Sequence, residues 1–360
     1  MAGLKEFWGG TKKLVGLDIG SSSLKLAEVL ITPHGHVLNR FLQVPLPKGI
    51  IIEGVLADSR ALSLKIKELF WNSDCRGKGI VTSLSGNSVI VKKVTFAQMD
   101  ETELRDLIRD EAGKYLPFDN MDDVNYDFQI LGDNDYNPNQ MDVIIVAAKK
   151  DIVNSYLGAV TAAGLNVTIM DVDSFALETM YEANYEFDNN EIVVIIGIGA
   201  SITNINVIKG GMSIFTRDFT LGGNSITEGL QEKYGLTFEE AEKIKIEGIP
   251  NNNDQDNLDL RNSILDFAEP ICSEIERSID YFRSTFGGEY IKRVLLSGGS
   301  AKIHGLTANL SQKLNAETEL INPFLKIGYN KRHVDQKTLE SIKPIAAVAI
   351  GLGLREIGDK

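Results

Sequence analysis

Apolar and polar positions along this chain fall into short runs broken by glycine-rich turns. Leu14-Val15-Gly16-Leu17-Asp18-Ile19-Gly20 is a mostly apolar run, and Ser21-Ser22-Ser23 turns it into the alternating Leu24-Lys25-Leu26-Ala27-Glu28-Val29. That pattern reads as strand, tight turn, strand. The same plan returns at Val193-Val194-Ile195-Ile196-Gly197-Ile198-Gly199-Ala200-Ser201, followed by Ile202-Thr203-Asn204-Ile205-Asn206-Val207. Aligned, Asp18 stands with Gly197, Gly20 with Gly199, Ser22 with Ser201 and Lys25 with Asn204. Two halves built alike are expected.

Strands are predicted over 14–20, 23–31, 36–45 and 79–84, with a helix near 58–71 whose apolar face is Leu62, Ile66, Leu69 and Phe70. Residues 86–163 read as an α+β insertion: a strand over 87–96, a helix over 100–116 opened by an Asp100/Glu103 capping box, strands over 124–131 and 142–148 around a polar loop from Gly132 to Gln140, and a helix near 150–163. A buried strand over 166–172 and a helix to about 186 follow. The second half repeats the plan with strands over 192–197, 202–208 and 213–220. Its insertion is helical: a helix over 223–234, one opened by Thr237 and Glu240 that ends before Gly248, a polar loop from Asn251 to Asn257, and a long helix from about 258 with Ile271, Ile275, Ile279, Phe282 and Phe286 on one face. A strand over 291–296 runs into Ser297-Gly298-Gly299-Ser300, a helix opens near Gly305-Leu306, and Ala346 to Gly353 is a helix of small residues. The expected division is a first lobe of 1–85 and 164–190, its insertion 86–163, a second lobe of 191–222 and 291–360, and its helical insertion 223–290.

Composition narrows the function classes. A chain of 360 residues suits about two domains of ~150 residues. At 43% hydrophobic and 24% charged it can bury a full core. A net charge of −13 repels phosphate backbones and anionic lipid, so nucleic acid is an unfavoured partner and direct membrane contact would need a local basic patch. Two cysteines, Cys75 and Cys272, give no disulfide framework and no Cys-x-x-Cys metal site. No apolar run reaches the ~18 residues of a membrane span, and Met1 to Trp8 is too short and mixed for a signal-peptide core. A cytoplasmic protein is expected, with any membrane role coming through a partner. Leu4, Phe7 and Trp8, beside Lys5, Lys12 and Lys13, suit packing or disorder better than lipid contact. His34 and His36 flank Gly35 in a hairpin turn rather than forming a metal site.

The turns carry the candidate chemistry. Glycine lets the backbone approach a ligand, successive amides point inward, and serine hydroxyls add donors, which together suit phosphate. Two such hairpins facing each other would clamp a polyphosphate from both sides. Gly298-Gly299, at the carboxyl end of a buried strand, would let a flat ring lie against backbone.

These turns, with Lys25 and the Ala346–Gly353 helix, resemble the ATP-binding segments of the actin-like ATPase superfamily. The resemblance implies an α/β, actin-like two-lobed fold, each lobe a five-stranded sheet with helices, and ATP in the cleft between them. Only Leu46 to Ala57 separates the third strand from the first helix, too short for the subdomain that actin and MreB insert there; placing the insertion at 86–163 instead resembles FtsA and PilM. Asp110-Glu111-Ala112-Gly113-Lys114-Tyr115-Leu116-Pro117-Phe118, Val124-Asn125-Tyr126-Asp127 and Met170-Asp171-Val172-Asp173-Ser174-Phe175-Ala176-Leu177 resemble the PilM family of type IV pilus assembly proteins in particular.

The resemblance implies roles residue by residue. Asp18 would sit near Mg2+ or its waters; Gly20, Ser21, Ser22, Ser23 and Lys25 would hold the phosphates; Gly199, Ala200 and Ser201 would clamp from the other lobe. Glu242 and Lys245 would touch ribose and base, and Gly298 and Gly299 would face adenosine. Plainer readings stand beside these, with Lys25 as a solvated strand residue and Glu242 and Lys245 as a solvated helix face. Where hydrolytic relatives carry an acid at the start of the second turn, this chain has Gly197, so ATP hydrolysis is expected to be slow or absent. The implied function is a cytoplasmic, nucleotide-binding adaptor of the pilus platform, recruited to the inner membrane by the N-terminal peptide of a single-span, PilN-like partner. The resemblance also allows other platform or motor components as partners, and self-association. The alternatives are an FtsA-like division protein, whose usual membrane-binding tail is not evident in Arg355 to Lys360, and a small-molecule kinase of the sugar-kinase class.

Overall fold

The computed structural model describes residues 14–77, 79–118, 120–134, 137–247, 254–286 and 290–358. The segment holding Leu4, Phe7, Trp8, Lys5, Lys12 and Lys13 lies outside them, as do 251–253 of the expected polar loop.

In chain order the first lobe opens with β1 (Leu14–Ile19), β2 (Ser23–Thr32), β3 (Gly35–Pro45), the small hairpin β4 (Ile51–Ile52) and β5 (Val55–Leu56), α1 (Ser59–Ser73) and β6 (Gly79–Leu84). The insertion holds β7 (Val89–Ala97), α2 (Glu101–Tyr115), β8 (Val124–Asn134) and β9 (Asn137–Lys149). Then come α3 (Lys150–Ala162), β10 (Asn166–Val172) and α4 (Asp173–Asn184). The second half runs β11 (Ile192–Ile198), β12 (Thr203–Lys209), β13 (Met212–Phe219), α5 (Gly223–Tyr234), α6 (Phe238–Glu247), α7 (Asp254–Thr285) and β14 (Ile291–Ser297). It closes with α8 (Leu306–Leu314), β15 (Thr318–Leu320), β16 (Gly328–Tyr329), α9 (Gln336–Ile342) and α10 (Ala347–Leu354).

The two large sheets share one topology. The first runs β10-β6-β1-β2-β3 and the second β15-β14-β11-β12-β13. In each, the opening hairpin pairs antiparallel with its third strand while the later strands pair parallel. The central strand of the second sheet, β11, is buried at every position, as a strand covered on both faces must be. The fold is therefore an α/β, actin-like duplication with an inserted three-stranded sheet, β7-β9-β8, in the first lobe and helices α5 to α7 in the second.

Several elements depart from expectation. The polar stretch Gly132–Gln140 is mostly strand, because β8 and β9 extend through it as a long hairpin. Helix α7 starts at Asp254 and takes up the end of the expected Asn251–Asn257 loop. Helix α3 packs Val153, Tyr156, Ala159 and Val160 into the first-lobe core with Leu62, Ile66 and Leu69, not onto the insertion. The insertion has its own core, from Phe96 through Leu104 and Ile108 to Val143 and Ile145. Strand β16, from late in the chain, adds a sixth strand to the first sheet by pairing with β3 at Val37 and Leu38. The small-residue helix α10 lies between the lobes, where its Ala347, Ala349 and Ile350 share a core with Ala27 and Val29 of one sheet and Val193 and Ile195 of the other. Its closeness explains its composition: a Cβ at Gly351 would stand 1.8 Å from the Ala176 carbonyl oxygen of α4.

Candidate nucleotide site

Both glycine turns close the same way. Gly20 N–H donates to the Ser23 carbonyl at 3.2 Å, and Gly199 N–H to the Ile202 carbonyl at 2.9 Å. Across the strands Asp18 faces Lys25 and Lys25 faces Gln43; in the second lobe Gly197 faces Asn204 and Asn204 faces Asp218. The alignment read from sequence is thus the structural register. One lobe presents an acid, a cation and an amide in a row; the other presents glycine, an amide and an acid.

The turns open on a cleft of about 700 Å³ between the lobes. Asp18, Gly20, Ser21, Ser22, Ser23 and Lys25 line it from the first lobe, and Gly199, Ala200, Glu242, Lys245, Gly298 and Gly299 from the second. Ser201 does not reach it; its hydroxyl accepts from the Asn224 side-chain amide at 3.0 Å, and Asn224 lines the cleft instead. The amides of Ser21, Ser22, Ala200 and Ser201 have no protein acceptor among the described residues, so each turn keeps donors for an anion.

Lys25 is not a solvated strand residue. Its ammonium pairs with Asp18 Oδ2 at 2.9 Å, and both side chains are largely buried. Nor do Glu242 and Lys245 form a solvated face. Lys245 Nζ donates to Glu242 Oε2 at 2.7 Å, to the Gly223 carbonyl at 2.9 Å and to Thr227 Oγ1 at 2.8 Å, which uses all three of its protons. Burial holds its pKa below the ordinary lysine range, against the pull of Glu242. The pair braces α6 on the start of α5 where both border the cleft.

Gly298 and Gly299 form the floor of a slot. Gly298 takes φ +92°, and a Cβ there would lie 2.3 Å from the Ile198 carbonyl oxygen, so only glycine fits. A Cβ at Gly299 would meet nothing within 4 Å. Ile303, Ile345 and Val348 line the same cleft and give the slot apolar walls. Toward the mouth, Lys48 of the first lobe reaches Glu228 of α5 at 2.9 Å and lies 4.5 Å from the Phe238 ring centre.

Sequence reading passed over Asp173. It is the first residue of α4, accepts a hydrogen bond from Ser83 Oγ, and lines the cleft. Burial, then the negative charge of Asp18, pushes its carboxyl up to about 7. The available signal was an apolar strand ending in an acid at a helix start. Asp218 is another displaced acid: it accepts the Gly86 N–H across the lobe boundary, and desolvation raises it to about 6.

Two lobes of one topology, holding paired glycine turns across a cleft, define the class as the actin-like two-lobed fold. Solved structures of similar shape agree. The ethanolamine utilization protein EutJ from Carboxydothermus hydrogenoformans superposes with a TM-score of 0.52 at 16% identity, over 94% of this chain and 88% of that one. MreB 5 of Spiroplasma citri bound to AMPPNP superposes with a TM-score of 0.50 at 12% identity, over 94% of each chain. At such identities they speak to fold alone. The model of the family described as type IV pilus assembly protein PilM matches residues 16–357, and the chain belongs to that family. The structure of a PilM-PilN type IV pilus biogenesis complex superposes with a TM-score of 0.85 at 29% identity, over 96% of this chain and 99% of that one. Cell division protein FtsA of Bacillus subtilis (strain 168) is 28% identical over 172 residues, which are 46% of this chain and 38% of that protein's length.

Proposed function

We propose that this pilus-assembly protein is a nucleotide-loaded adaptor: it binds ATP with Mg2+ in the cleft and grips the N-terminal cytoplasmic peptide of a PilN-like, single-span inner-membrane protein. The observation that carries the nucleotide half is the pair of matched turns, where Ser21, Ser22 and Ala200 line the cleft with amides that have no protein acceptor among the described residues. Ser21, Ser22 and Ala200 hold phosphate oxygens, Lys25 adds its charge, and the Gly298-Gly299 slot takes the base. No group of three or more His, Cys, Asp or Glu side chains poised for a metal exists among the described residues. Mg2+ would come as the companion of a phosphate, and Asp18 and Asp173, the acids that line the cleft from the first lobe, would hold its waters. When bound, the ion would neutralise phosphate charge.

Turnover in this reading is slow. Gly197 supplies no carboxylate, and Asn204 covers it: a Cβ at Gly197 would fall 2.2 Å from Asn204 Oδ1. Asp173 lines the cleft beside Asp18, and its raised pKa leaves it part-protonated near neutrality.

The peptide half rests on the likeness to the PilM-PilN complex and on the first-lobe seam. Strand β7 leaves the lobe there: Val89 packs with the lobe core and Ile90 with the insertion core. Seams between subdomains are common ligand sites. A short peptide ordered on binding should have an affinity around micromolar. Hydrogen exchange on the full chain, with and without that peptide, tests this. Added protection over 86–97 and 124–131 is the expected result; protection confined to the second lobe would move the site elsewhere.

A further inference from the structure

Helix α1 carries a feature that the cleft does not use. Its inner face, Leu62, Ser63, Ile66, Leu69 and Ser73, is buried on the first-lobe side. Its outer face is one stripe of Arg60, Leu64, Lys67 and Trp71, at spacings of four, three and four residues that project from the same side of a helix. At a rise of 1.5 Å per residue the stripe is about 16 Å long. All four are exposed, Leu64 at 57% and Trp71 at 87%. Tryptophan usually buries most of its surface, so this exposure is unusual. Arg60 and Lys67 make no hydrogen bond or ion pair with any described residue. The one acid of the helix, Glu68, is engaged by Lys65 at 2.8 Å. Two unneutralised cations thus alternate with two exposed apolar side chains on a protein whose net charge is −13.

We propose that this stripe rests on an anionic phospholipid surface. Trp71 suits the headgroup depth, where an amphipathic ring keeps its N–H wet and its body in the acyl boundary. Arg60 and Lys67 suit the lipid phosphates, and each cation near such a surface adds to binding. Charge favours a lipid surface: Arg60 and Lys67, unpaired and exposed, complement a plane of phosphates, and none of the four residues lines the cleft or the cavity beside Asn184 and Lys326. Two apolar side chains insert too little area to anchor the protein. The contact is therefore weak and orienting, and no helix among the described residues is long and apolar enough to cross a membrane. The net charge concealed this patch: the total is acidic, but the two unpaired cations of α1, Arg60 and Lys67, share one stripe. The proposal stands apart from the peptide reading, because vesicles carry no protein partner.

The test uses the full chain with Trp8→Phe, which leaves Trp71 as the sole tryptophan. Vesicles of phosphatidylglycerol with phosphatidylethanolamine should shift Trp71 emission to the blue and co-sediment the protein; phosphatidylcholine vesicles should do neither. Salt at about 1 M, where the Debye length is about 3 Å, should release it. An Arg60→Glu/Lys67→Glu variant should bind at least about tenfold more weakly, with unchanged circular dichroism. The proposal is overturned if anionic vesicles leave Trp71 unshifted, if the double variant binds them equally, or if phosphatidylcholine binds as well. It is also overturned if soluble polyglutamate shifts Trp71 while vesicles do not; the stripe is then a protein-docking face.

Discussion

Asp173 and Gly197 both line the cleft, one with a displaced carboxyl and the other with no side chain. The register places Gly197 where the first lobe has Asp18, and Asn204 occupies the space a side chain would need there. A Gly197→Asp change would therefore have to displace Asn204 before it could restore a carboxylate. Asp173 supplies an acid from a different element, at a cost in stability. A carboxyl whose folded pKa is raised holds its proton more tightly in the folded state, so stability falls as pH climbs from about 4, its ordinary value, to about 7. Asp173→Asn keeps an acceptor for Ser83 and removes that cost. Its melting temperature should exceed the parent's by a few degrees at pH 8 and match it near pH 4. Thermal melts across that range check this; a variant that melts lower at every pH would contradict it. Asp173 was not legible as a site residue because a lone acid after an apolar strand has no period and no motif of its own. Lys25, Glu242 and Lys245 were legible only as candidates, since sequence shows that a charge exists but not which partner buries it.

Among elements, the turns and caps were the most readable parts of the chain. Glycine and serine at matched positions specify a tight turn whatever surrounds it, and the Asp100/Glu103 and Thr237/Glu240 capping boxes both form. What sequence withheld was allegiance. The pattern of α3 shows an apolar face without showing which core it joins, and the two residues of β16 are too few to read as a strand. The Gly298-Gly299 turn offers a test at this scale, because its glycines are needed for different reasons. Gly298→Ala forces a Cβ against the Ile198 carbonyl in a left-handed conformation, so it should cost about 1–3 kcal/mol of stability. Gly299→Ala meets open space, so it should leave the melting temperature unchanged while raising the floor of the slot and weakening nucleotide binding. Equal loss of stability in both variants would mean that the turn is structural alone.

At the scale of the molecule, the duplication is the feature that makes a cleft. Two sheets of one topology, each ending its first hairpin in a glycine turn, bring two sets of backbone donors face to face. The lobes are tied at several depths: α10 in the shared core, the Gly86 amide on Asp218, and Lys48 on Glu228 at the mouth. Closure of the lobes on a ligand would tighten the outer ties first, since Lys48 and Glu228 are half-exposed while α10 is buried. Steady-state phosphate release should stay far below the ~10 per second common to enzymes, because the second lobe offers backbone and amide groups where a hydrolase has a carboxylate. The measurement that bears most directly on the account is isothermal titration of ATP, in magnesium buffer, into the full chain. One site per chain is the predicted result, and no heat of binding up to millimolar ATP would contradict it.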